Sequence, residues 1–581
     1  MTEGLSAEQA SALAPGIRLI EAGPGSGKTR TVLARFVERS PRGGIALLSF
    51  TNAAVDVARG RAATQPALSA SPNFIGTFDL FLHRFVVTPY LLRTHATQAR
   101  YVASWDDLAG HMSVVHPASG GVGIRLSQFI RHGAGWAVDT SALSFSQSTA
   151  WQKLHPNTRH QLSLAGSTRI KALLASHLYD TNSARDVALR VLQDSNELFL
   201  ERIARRFAEV IVDEFQDCDA LEHALLRELV SVGVHVVGVA DPDQAIYEFR
   251  QGSSGAYVTF RSELADHEVA ALSTCFRSTP AVCALVSSLR AVGTAEITSD
   301  PAHEGGAGQV HVVVGSGQKA GVAALNAMRV EGVALDRIRV VAHRRSDALG
   351  VVRAGKADPG GVSQMEALLS AVAALRMRSS GKARLGAVNR IERFVLDQFD
   401  WPASTSRATR EEQLEALELS PAALRVVASE LLASTDSWTS AKACRIATTQ
   451  VLQDLAQGRE VVLRSNLGSR LIVRAAVWNV WMSRQAMLEG TEVADIRWSH
   501  IHGVKGEEFD GVILALPSRA RAGVHVLDDW EQEINSEARR VLYVGASRAK
   551  KALVLVVPPA RWEQLERILK RDGVQHAVTR A

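Results

Sequence analysis

The chain has 581 residues, which is enough for several domains because single domains average about 100 to 200 residues. Hydrophobic residues make up 46% of the sequence and charged residues 22%, so a mostly disordered chain is excluded. The net charge of +5, from 65 Lys and Arg against 60 Asp and Glu, suits an anionic partner but is too small to identify one.

The predicted elements, taken in chain order, alternate between α/β and helical regions. Short apolar runs predict strands at residues 18–21, 45–50, 209–212, 235–240, 310–314, 338–342, 511–516 and 553–557. Helical spacing of apolar residues predicts helices at residues 53–61, 184–207, 411–432 and 441–457. Strands that alternate with helices build parallel sheets, so we predict an α/β fold. No internal sequence repeat is visible.

The simplest organisation of these elements is two α/β domains, each interrupted by a mainly helical insertion. The first α/β domain is predicted at residues 1–85 and 201–268, with its insertion at residues 86–200. The second is predicted at residues 269–358 and 491–581, with its insertion at residues 359–490.

Neither a membrane protein nor an exported protein is predicted. The longest apolar runs, residues 234–240 and 552–560, have the length of strands, whereas a membrane helix needs about 20 apolar residues. The N-terminal segment lacks the layout of a signal peptide, so we expect a cytoplasmic protein. The four cysteines include no CxxC pair, which makes a disulfide framework or a structural zinc site improbable.

A glycine-rich segment between a predicted strand and a predicted helix has the composition of a phosphate-binding loop. Its residues are Ala22, Gly23, Pro24, Gly25, Ser26, Gly27, Lys28 and Thr29, and we call residues 22–29 the phosphate loop. Glycines let backbone N–H groups face phosphate oxygens, Lys28 reaches the β and γ oxygens, and the Thr29 hydroxyl can ligate Mg²⁺. A glycine-rich turn that binds nothing is the less probable alternative.

Two carboxylates follow the predicted strand at residues 209–212. Asp213 would hold Mg²⁺ through water, and Glu214 would act as the general base toward the attacking water. Acidic residues after a strand are often only solvated loop charges. Together with the phosphate loop, however, they predict an ATPase.

Further segments resemble superfamily 1 DNA helicases of the UvrD/Rep group, in the order in which that family has them. They are residues 5–9, 49–54, 76–78, 241–250, 275–279, 500–509 and 537–549. The resemblance covers both α/β domains. It implies two RecA-like P-loop domains that close on ATP and Mg²⁺ and act on DNA.

The resemblance also implies further contacts to the nucleotide. Gln9 would contact the base, Phe276 would stack on adenine in place of the family's tyrosine, and Glu508 would contact the ribose. Gln244 would sense the γ-phosphate. Arg277 and Arg548 would be arginine fingers that stabilise the transferring phosphoryl group, although either arginine alone would more often form a surface salt bridge.

A surface for single-stranded DNA is implied as well, because aromatic rings give platforms on which bases stack without sequence preference. The residues implied are Phe50, Thr51, Asn52, Thr77, Phe78, Tyr247, Phe249, Arg250 and His502. Phe50 and Phe78 are equally well explained by core packing, whereas Tyr247 and Phe249 are predicted strand contacts close to Gln244.

The sequence departs from the family pattern at a few positions. The first residue of the phosphate loop is Ala22 instead of glycine, and His500 and Ser547 stand where the family has threonine. Ala240 stands where the family has glycine. The predicted insertion at residues 359–490 is short for the family's mobile subdomain and contains no family motif.

Two functions remain open from the sequence. The first is an ATP-dependent translocase and helicase that moves 3′ to 5′ on single-stranded DNA and unwinds duplex at junctions, in DNA repair, recombination or replication. The second is a DNA-stimulated ATPase subunit of a phage-defence system that works with a partner nuclease. An ATPase without a nucleic-acid partner is a distant third and would show no stimulation by DNA.

Overall fold

The structure is a computed structural model whose chain divides into two units. It describes residues 4–38, 43–63, 68, 70–108, 112–116, 123–133, 135–194, 197–246, 253–303, 308–352, 364–376, 381–401, 410–457, 462–475, 477–479, 481–482, 496–520 and 524–581. Unit 1 comprises Met1–Phe78, Asn196–Arg390 and Val473–Ala581, and unit 2 comprises Asp79–Ser195 and Ile391–Ile472. The finer division into six segments that the sequence predicts stays a prediction.

Unit 1 contains a first six-stranded sheet in which every strand pairs in parallel. In spatial order its strands are Val269–Leu272, Leu19–Ala22, His235–Ala240, Phe207–Asp213, Gly44–Ser49 and Phe74–Thr77. The inner strands are mostly apolar and mostly buried, as expected for a parallel sheet that helices cover on both faces. The α/β prediction is therefore confirmed for this half.

A second six-stranded parallel sheet lies in the same unit. Its strands, in spatial order, are Arg497–His500, Ile338–Ala342, Phe509–Ala515, Ala549–Val557, Val310–Val314 and His576–Arg580. Numbered by their own order along the chain and read from the opposite edge, these strands have the same arrangement as the first sheet, 6-1-5-4-2-3. The fold is thus repeated although no sequence repeat is visible.

Helices flank both sheets. The helices of unit 1 include Ala7–Ser11, Lys28–Glu38, Asn52–Ala62, Glu197–Arg206, Ala220–Ser231, Ser253–Ser262, Pro280–Ser288, Gly317–Val330, Arg345–Val352, Gln364–Arg376, Val526–Glu531, Glu537–Ala546 and Trp562–Arg571. One face of the first sheet packs with Val32, Leu33 and Phe36 of the helix that follows the phosphate loop. Burial of this apolar face fixes the start of the helix, and with it Lys28, against the edge of the sheet.

Unit 2 is mainly helical but adds strands that the sequence did not predict. Its helices include Thr88–His95, Phe145–Lys153, Pro156–Ala175, Thr181–Asp194, Arg410–Ala416, Pro421–Ala433, Ala441–Ala456 and Leu467–Arg470, and a π-helix spans His83–Val87. The helices Phe78–Leu82 and Gly381–Leu396 cross between the units. Four small sheets pair Arg100–Val102 with Leu178–Asp180, Ser113–Val115 with Gly123–Arg125, Phe129–His132 with Gly135–Val138, and Phe399–Asp400 with Val462–Leu463.

Two predicted helices are wrong in their extent. The segment at residues 411–432 forms two helices, Arg410–Ala416 and Pro421–Ala433, because Ser420 caps a new helix that begins at Pro421. The segment at residues 184–207 forms two helices, Thr181–Asp194 and Glu197–Arg206, and Phe207 already begins a strand. Phe207 pairs with Gly44 in the first sheet, and this long-range pairing ends the helix. Among the described residues, no helix is long and apolar enough to span a membrane.

Candidate active site

The phosphate loop connects the strand Leu19–Ala22 to the helix Lys28–Glu38. Gly25 and Gly27 have φ values of +73° and +80°, which only glycine adopts readily, so both are needed for the turn. The Ser26 hydroxyl donates to the Gly23 carbonyl at 2.8 Å and closes the loop on itself. The backbone N–H groups at the start of the helix thereby form an anion-binding end.

Two segments from elsewhere in the chain contact this loop. The Gln9 amide donates to the Ser26 carbonyl at 2.9 Å, and its oxygen accepts from the Ser6 N–H at 3.2 Å. The Phe276 N–H donates to the Gly25 carbonyl at 2.9 Å, while the Phe276 side chain stays 37% exposed. Gln9 thus positions the loop in this structure, and the Phe276 backbone ties its own segment to the same loop.

Asp213 ends the central strand Phe207–Asp213 and Glu214 follows it directly, whereas the sequence predicts that the strand ends at residue 212. Burial and the neighbouring Glu214 charge raise the pKa of Asp213 to about 6. Burial acts to raise the pKa of Glu214, but Lys505 and Lys28 outweigh it and lower that pKa to about 2. At neutral pH Glu214 is therefore ionised and able to accept a hydrogen bond from water.

Gln244 joins the first sheet to Arg548. Its amide N–H donates to Asp241 at 2.7 Å, and its amide oxygen accepts from the Arg548 guanidinium at 2.9 Å. Asp241 is fully buried, and burial raises its pKa. One Asp241 oxygen, Oδ1, has no hydrogen-bond partner in the part of the chain that the structure describes.

Arg277 and Arg548 lie close enough to influence each other. Burial and the Arg277 charge lower the pKa of Arg548 to about 10. Arg277 donates to the Ser547 carbonyl at 2.5 Å and pairs with Glu508 at 3.6 Å. Lys550 also pairs with Glu508, at 2.6 Å, and the two cations keep the pKa of Glu508 low against the effect of its partial burial. The structure thus brings both predicted arginine fingers to one place.

Lys505 and Tyr543 also reach this site, although no role was predicted for either residue from the sequence. The Lys505 ammonium contacts the carboxylates of Asp217 and Glu214, the latter at 3.6 Å, and donates to the Gln244 carbonyl at 3.3 Å. The Tyr543 hydroxyl donates to Asp241 at 3.0 Å. Both residues lie inside segments that resemble family motifs, and that resemblance was the only sign in the sequence that they could belong to the site. Their partners are about 300 positions away in the chain, so spacing could not indicate them.

The donor set fits Mg²⁺ bound together with a nucleotide. In the described parts of the chain, no group of three His, Cys, Asp or Glu could hold a metal ion by itself. Mg²⁺ does not need such a cage, since one or two carboxylates, phosphate oxygens and water complete its shell. Asp213 is half-buried and its pKa is raised to about 6, so a cation beside it would stabilise its charged form.

The predicted DNA contacts are spread over both sheets. Phe50 and Phe78 stack on each other with ring centroids 5.7 Å apart, and Phe78 is only 1% exposed. Thr51 caps the helix Asn52–Ala62, Asn52 is exposed, and Thr77 ends the strand Phe74–Thr77. His502 lies just after the strand Arg497–His500 of the second sheet, and its ring centroid is 6.1 Å from that of His500. Tyr247, Phe249 and Arg250 lie outside the described residues.

The phosphate loop, the carboxylates at the ends of neighbouring strands and two arginines from outside the first sheet have the arrangement of a P-loop nucleotide site. Residues 5–265 match the UvrD/REP helicase N-terminal domain, and residues 482–558 match the UvrD-like helicase C-terminal domain. The two matches together cover more than half of the chain, which belongs to the UvrD/Rep family of DNA helicases.

Curated relatives are similar in sequence to this chain over part of their length. The chain is 24% identical to DNA helicase II of Salmonella typhimurium over 290 residues, which is 47% of this chain and 38% of the relative. It is 23% identical to the putative ATP-dependent DNA helicase YjcD of Bacillus subtilis over 300 residues, 48% of this chain and 37% of the relative. A segment of 112 residues, 19% of this chain, is 34% identical to 9% of the RecBCD enzyme subunit RecB of Escherichia coli. The chain thus spans well under half of the length of these relatives.

Proposed function

We propose that this chain hydrolyses ATP with Mg²⁺ and uses the cycle to move along single-stranded DNA and separate duplex. The observation that carries the proposal is the 2.9 Å hydrogen bond between Arg548 and Gln244, which links the second sheet to the phosphate-loop side of the first. An arginine held there can respond to a γ-phosphate and transmit its presence to the other sheet. Membership of a DNA helicase family supports the same activity.

In the proposed reaction each side chain has one task. Lys28 binds the phosphates, Glu214 accepts the proton of the attacking water, and Arg277 and Arg548 stabilise the charge on the transferring phosphoryl group. Asp213 and Thr29 would hold Mg²⁺, which would supply positive charge that offsets the charge of the phosphates.

The proposed DNA surface uses the aromatic and polar residues assigned from the sequence. Phe50 is half-buried and can offer one ring face, and Thr51, Asn52 and Thr77 offer polar groups beside it. Phe78 supports the Phe50 ring from below and is itself covered. Movement from 3′ to 5′, and roles in repair, recombination or replication, are proposed from the family resemblance alone.

A second candidate is a DNA-stimulated ATPase subunit that acts with a nuclease. The similarity of a short segment to RecB, a subunit of a larger enzyme by its name, favours this alternative. Both candidates require the same ATP chemistry. They differ only in whether this chain separates strands unaided.

The deciding experiment measures ATP turnover and unwinding of a 3′-tailed duplex by the purified chain, with and without single-stranded DNA. We expect turnover to rise with DNA and strands to separate. Stimulated turnover without strand separation would favour the subunit alternative. Turnover that ignores DNA would contradict both.

A further inference from the structure

Two buried cysteines lie directly behind the phosphate loop. Cys275 is 1% exposed at the end of the strand Thr274–Cys275, and Cys283 is 2% exposed on the helix Pro280–Ser288. The peptide of Ser278 bridges them: its N–H lies 3.4 Å from the Cys275 sulfur, and the Cys283 thiol donates to its carbonyl at 3.6 Å. Both thiols thus contact the same peptide, which places Cys283 beside Cys275.

The two thiols differ in their readiness to ionise. The hydrogen bond from Cys283, two backbone N–H groups and the Arg277 charge outweigh burial and lower the pKa of Cys275. The hydrogen bond to Cys275 and burial raise the pKa of Cys283. A thiolate with a neutral thiol beside it is the arrangement of an attacking and a resolving cysteine.

We propose that Cys275 and Cys283 form a reversible disulfide when the protein meets a hydroperoxide, and that this disulfide modifies the phosphate loop. The Cys275 thiolate attacks the peroxide O–O bond, which breaks to give a sulfenic acid and an alkoxide, or hydroxide in the case of hydrogen peroxide. This leaving group takes up the proton that Cys275 lost on ionising. The Cys283 thiol then attacks the sulfenic sulfur, forms the S–S bond and releases water. Two thiols thus supply the two electrons that reduce the peroxide, and an added dithiol reverses the step.

Modification at this point reaches the loop through direct contact. A Cβ atom placed on Gly25 would lie 2.7 Å from the Cys275 sulfur, so the sulfur already touches the loop backbone. The Phe276 N–H bond to the Gly25 carbonyl ties the same two segments together. When Cys275 turns toward Cys283, this contact must shift. The expected loss of ATP turnover rests on the proposed function, whereas formation of the disulfide does not.

Peptide mapping of the full chain tests the disulfide directly. Trypsin cleaves after Arg277 and separates residues 262–277, with Cys275, from residues 278–290, with Cys283. After treatment with hydrogen peroxide and alkylation without reductant, we expect these two peptides to be joined. Cys218 and Cys444, which are buried elsewhere, should remain unlinked. Cys275 and Cys283 recovered as separate alkylated or over-oxidised peptides would overturn the proposal.

ATP turnover tests the consequence. Peroxide should lower turnover of the wild type by about 10- to 100-fold, the cost of a displacement of about 1 Å near reacting groups, and dithiothreitol should restore it. Cys283→Ala should form no linked peptide and keep its turnover under the same treatment, and Cys444→Ala should behave as the wild type. Equal peroxide sensitivity of Cys283→Ala would overturn the link to the phosphate loop. If the chain has no ATPase activity, the proposed function fails while the linked peptide still decides the disulfide.

Discussion

The two parallel sheets share one strand order, but their candidate site residues lie at opposite ends of the strands. In the first sheet the phosphate loop, Asp213 and Asp241 all follow the carboxyl ends of strands, where ligands of parallel sheets usually bind. In the second sheet Glu508 and Arg548 directly precede strands and lie at the amino edge. In the proposed site the first sheet therefore supplies the phosphate loop and the carboxylates from the carboxyl ends of its strands, and the second sheet supplies Arg548 from the amino end of a strand.

Loop length explains why the first of these two sheets has a phosphate loop and the second does not. In the first sheet residues 23–27 separate the strand Leu19–Ala22 from its helix, and they form the phosphate loop. In the second sheet only residues 315 and 316 separate Val310–Val314 from the helix Gly317–Val330. The central strand Phe509–Ala515 continues into apolar Leu516, where the first sheet has Asp213 and Glu214. A repeated fold does not imply a repeated site.

Removing Lys28 from the phosphate loop should have the largest effect. Lys28→Ala should reduce ATP turnover below detection while the fold stays intact, because Lys28 serves phosphate charge and not packing. Turnover and thermal unfolding are measured in parallel, with Lys551→Ala as a control for an exposed lysine of the second sheet. Normal turnover in folded Lys28→Ala would remove the ATPase assignment.

Removing the two arginines that come from outside the first sheet tests the other side of the comparison. Arg277→Ala and Arg548→Ala should each lower turnover by about 10³- to 10⁵-fold, the range known for arginine fingers. The double variant should lose little more than either single variant, because both arginines serve one closed state. Arg567→Ala, at an exposed salt bridge, is the control. A loss of less than about tenfold would show that the residue is not a finger.

The general base can be tested without disturbing nucleotide binding. Glu214→Gln should lower turnover by about 10²- to 10⁴-fold, the usual contribution of a positioned base, and should retain ATP and Mg²⁺ affinity through Lys28 and Asp213. Binding of a fluorescent ATP analogue and single-turnover hydrolysis separate the two properties. Weakened binding with unchanged hydrolysis would reverse the roles of Asp213 and Glu214.

Lys505 offers a sharper test of how the second sheet acts on the first. Its charge holds the pKa of Glu214 down, so Lys505→Met should raise that pKa by about one unit or more. The acidic limb of turnover against pH should then move to higher pH, since Glu214 becomes protonated sooner as pH falls. Lys551→Met is the matched control. An unmoved limb would mean that Lys505 serves only to hold the two sheets together.

The smallest effect concerns Mg²⁺ and pH. The pKa of Asp213 is raised to about 6, so its protonated fraction grows as pH falls through 6 and protons compete with the metal. Apparent Mg²⁺ affinity should fall about tenfold per pH unit below that point and level off above it. Titration calorimetry with Mg²⁺ and a non-hydrolysable ATP analogue measures it. Asp213→Asn should bind Mg²⁺ weakly at every pH, and a persistent slope in this variant would assign the proton elsewhere.

The sequence predicts the local parts of this architecture well and the long-range parts poorly. The strands His235–Ala240, Val310–Val314 and Ile338–Ala342 are confirmed to the residue because apolar runs between turns are local signals. The phosphate loop is contiguous and equally visible. The contact of Lys505 with Asp217 joins residues 288 positions apart, and only the folded chain brings them together.

The order of strands in the first sheet also determines when the strand Leu19–Ala22 can pair during synthesis of the chain. Leu19–Ala22 pairs with His235–Ala240 on one side and with Val269–Leu272 on the other. At a synthesis rate of about 5 to 20 residues per second, both neighbours of this strand emerge roughly 10 to 50 seconds after it. Until then the nascent chain carries a strand with both edges unpaired, which is open to pairing with other chains. A ribosome that stalls within residues 79–195 of unit 2 would therefore leave a chain whose phosphate loop has been made while the strand before it still lacks both neighbours.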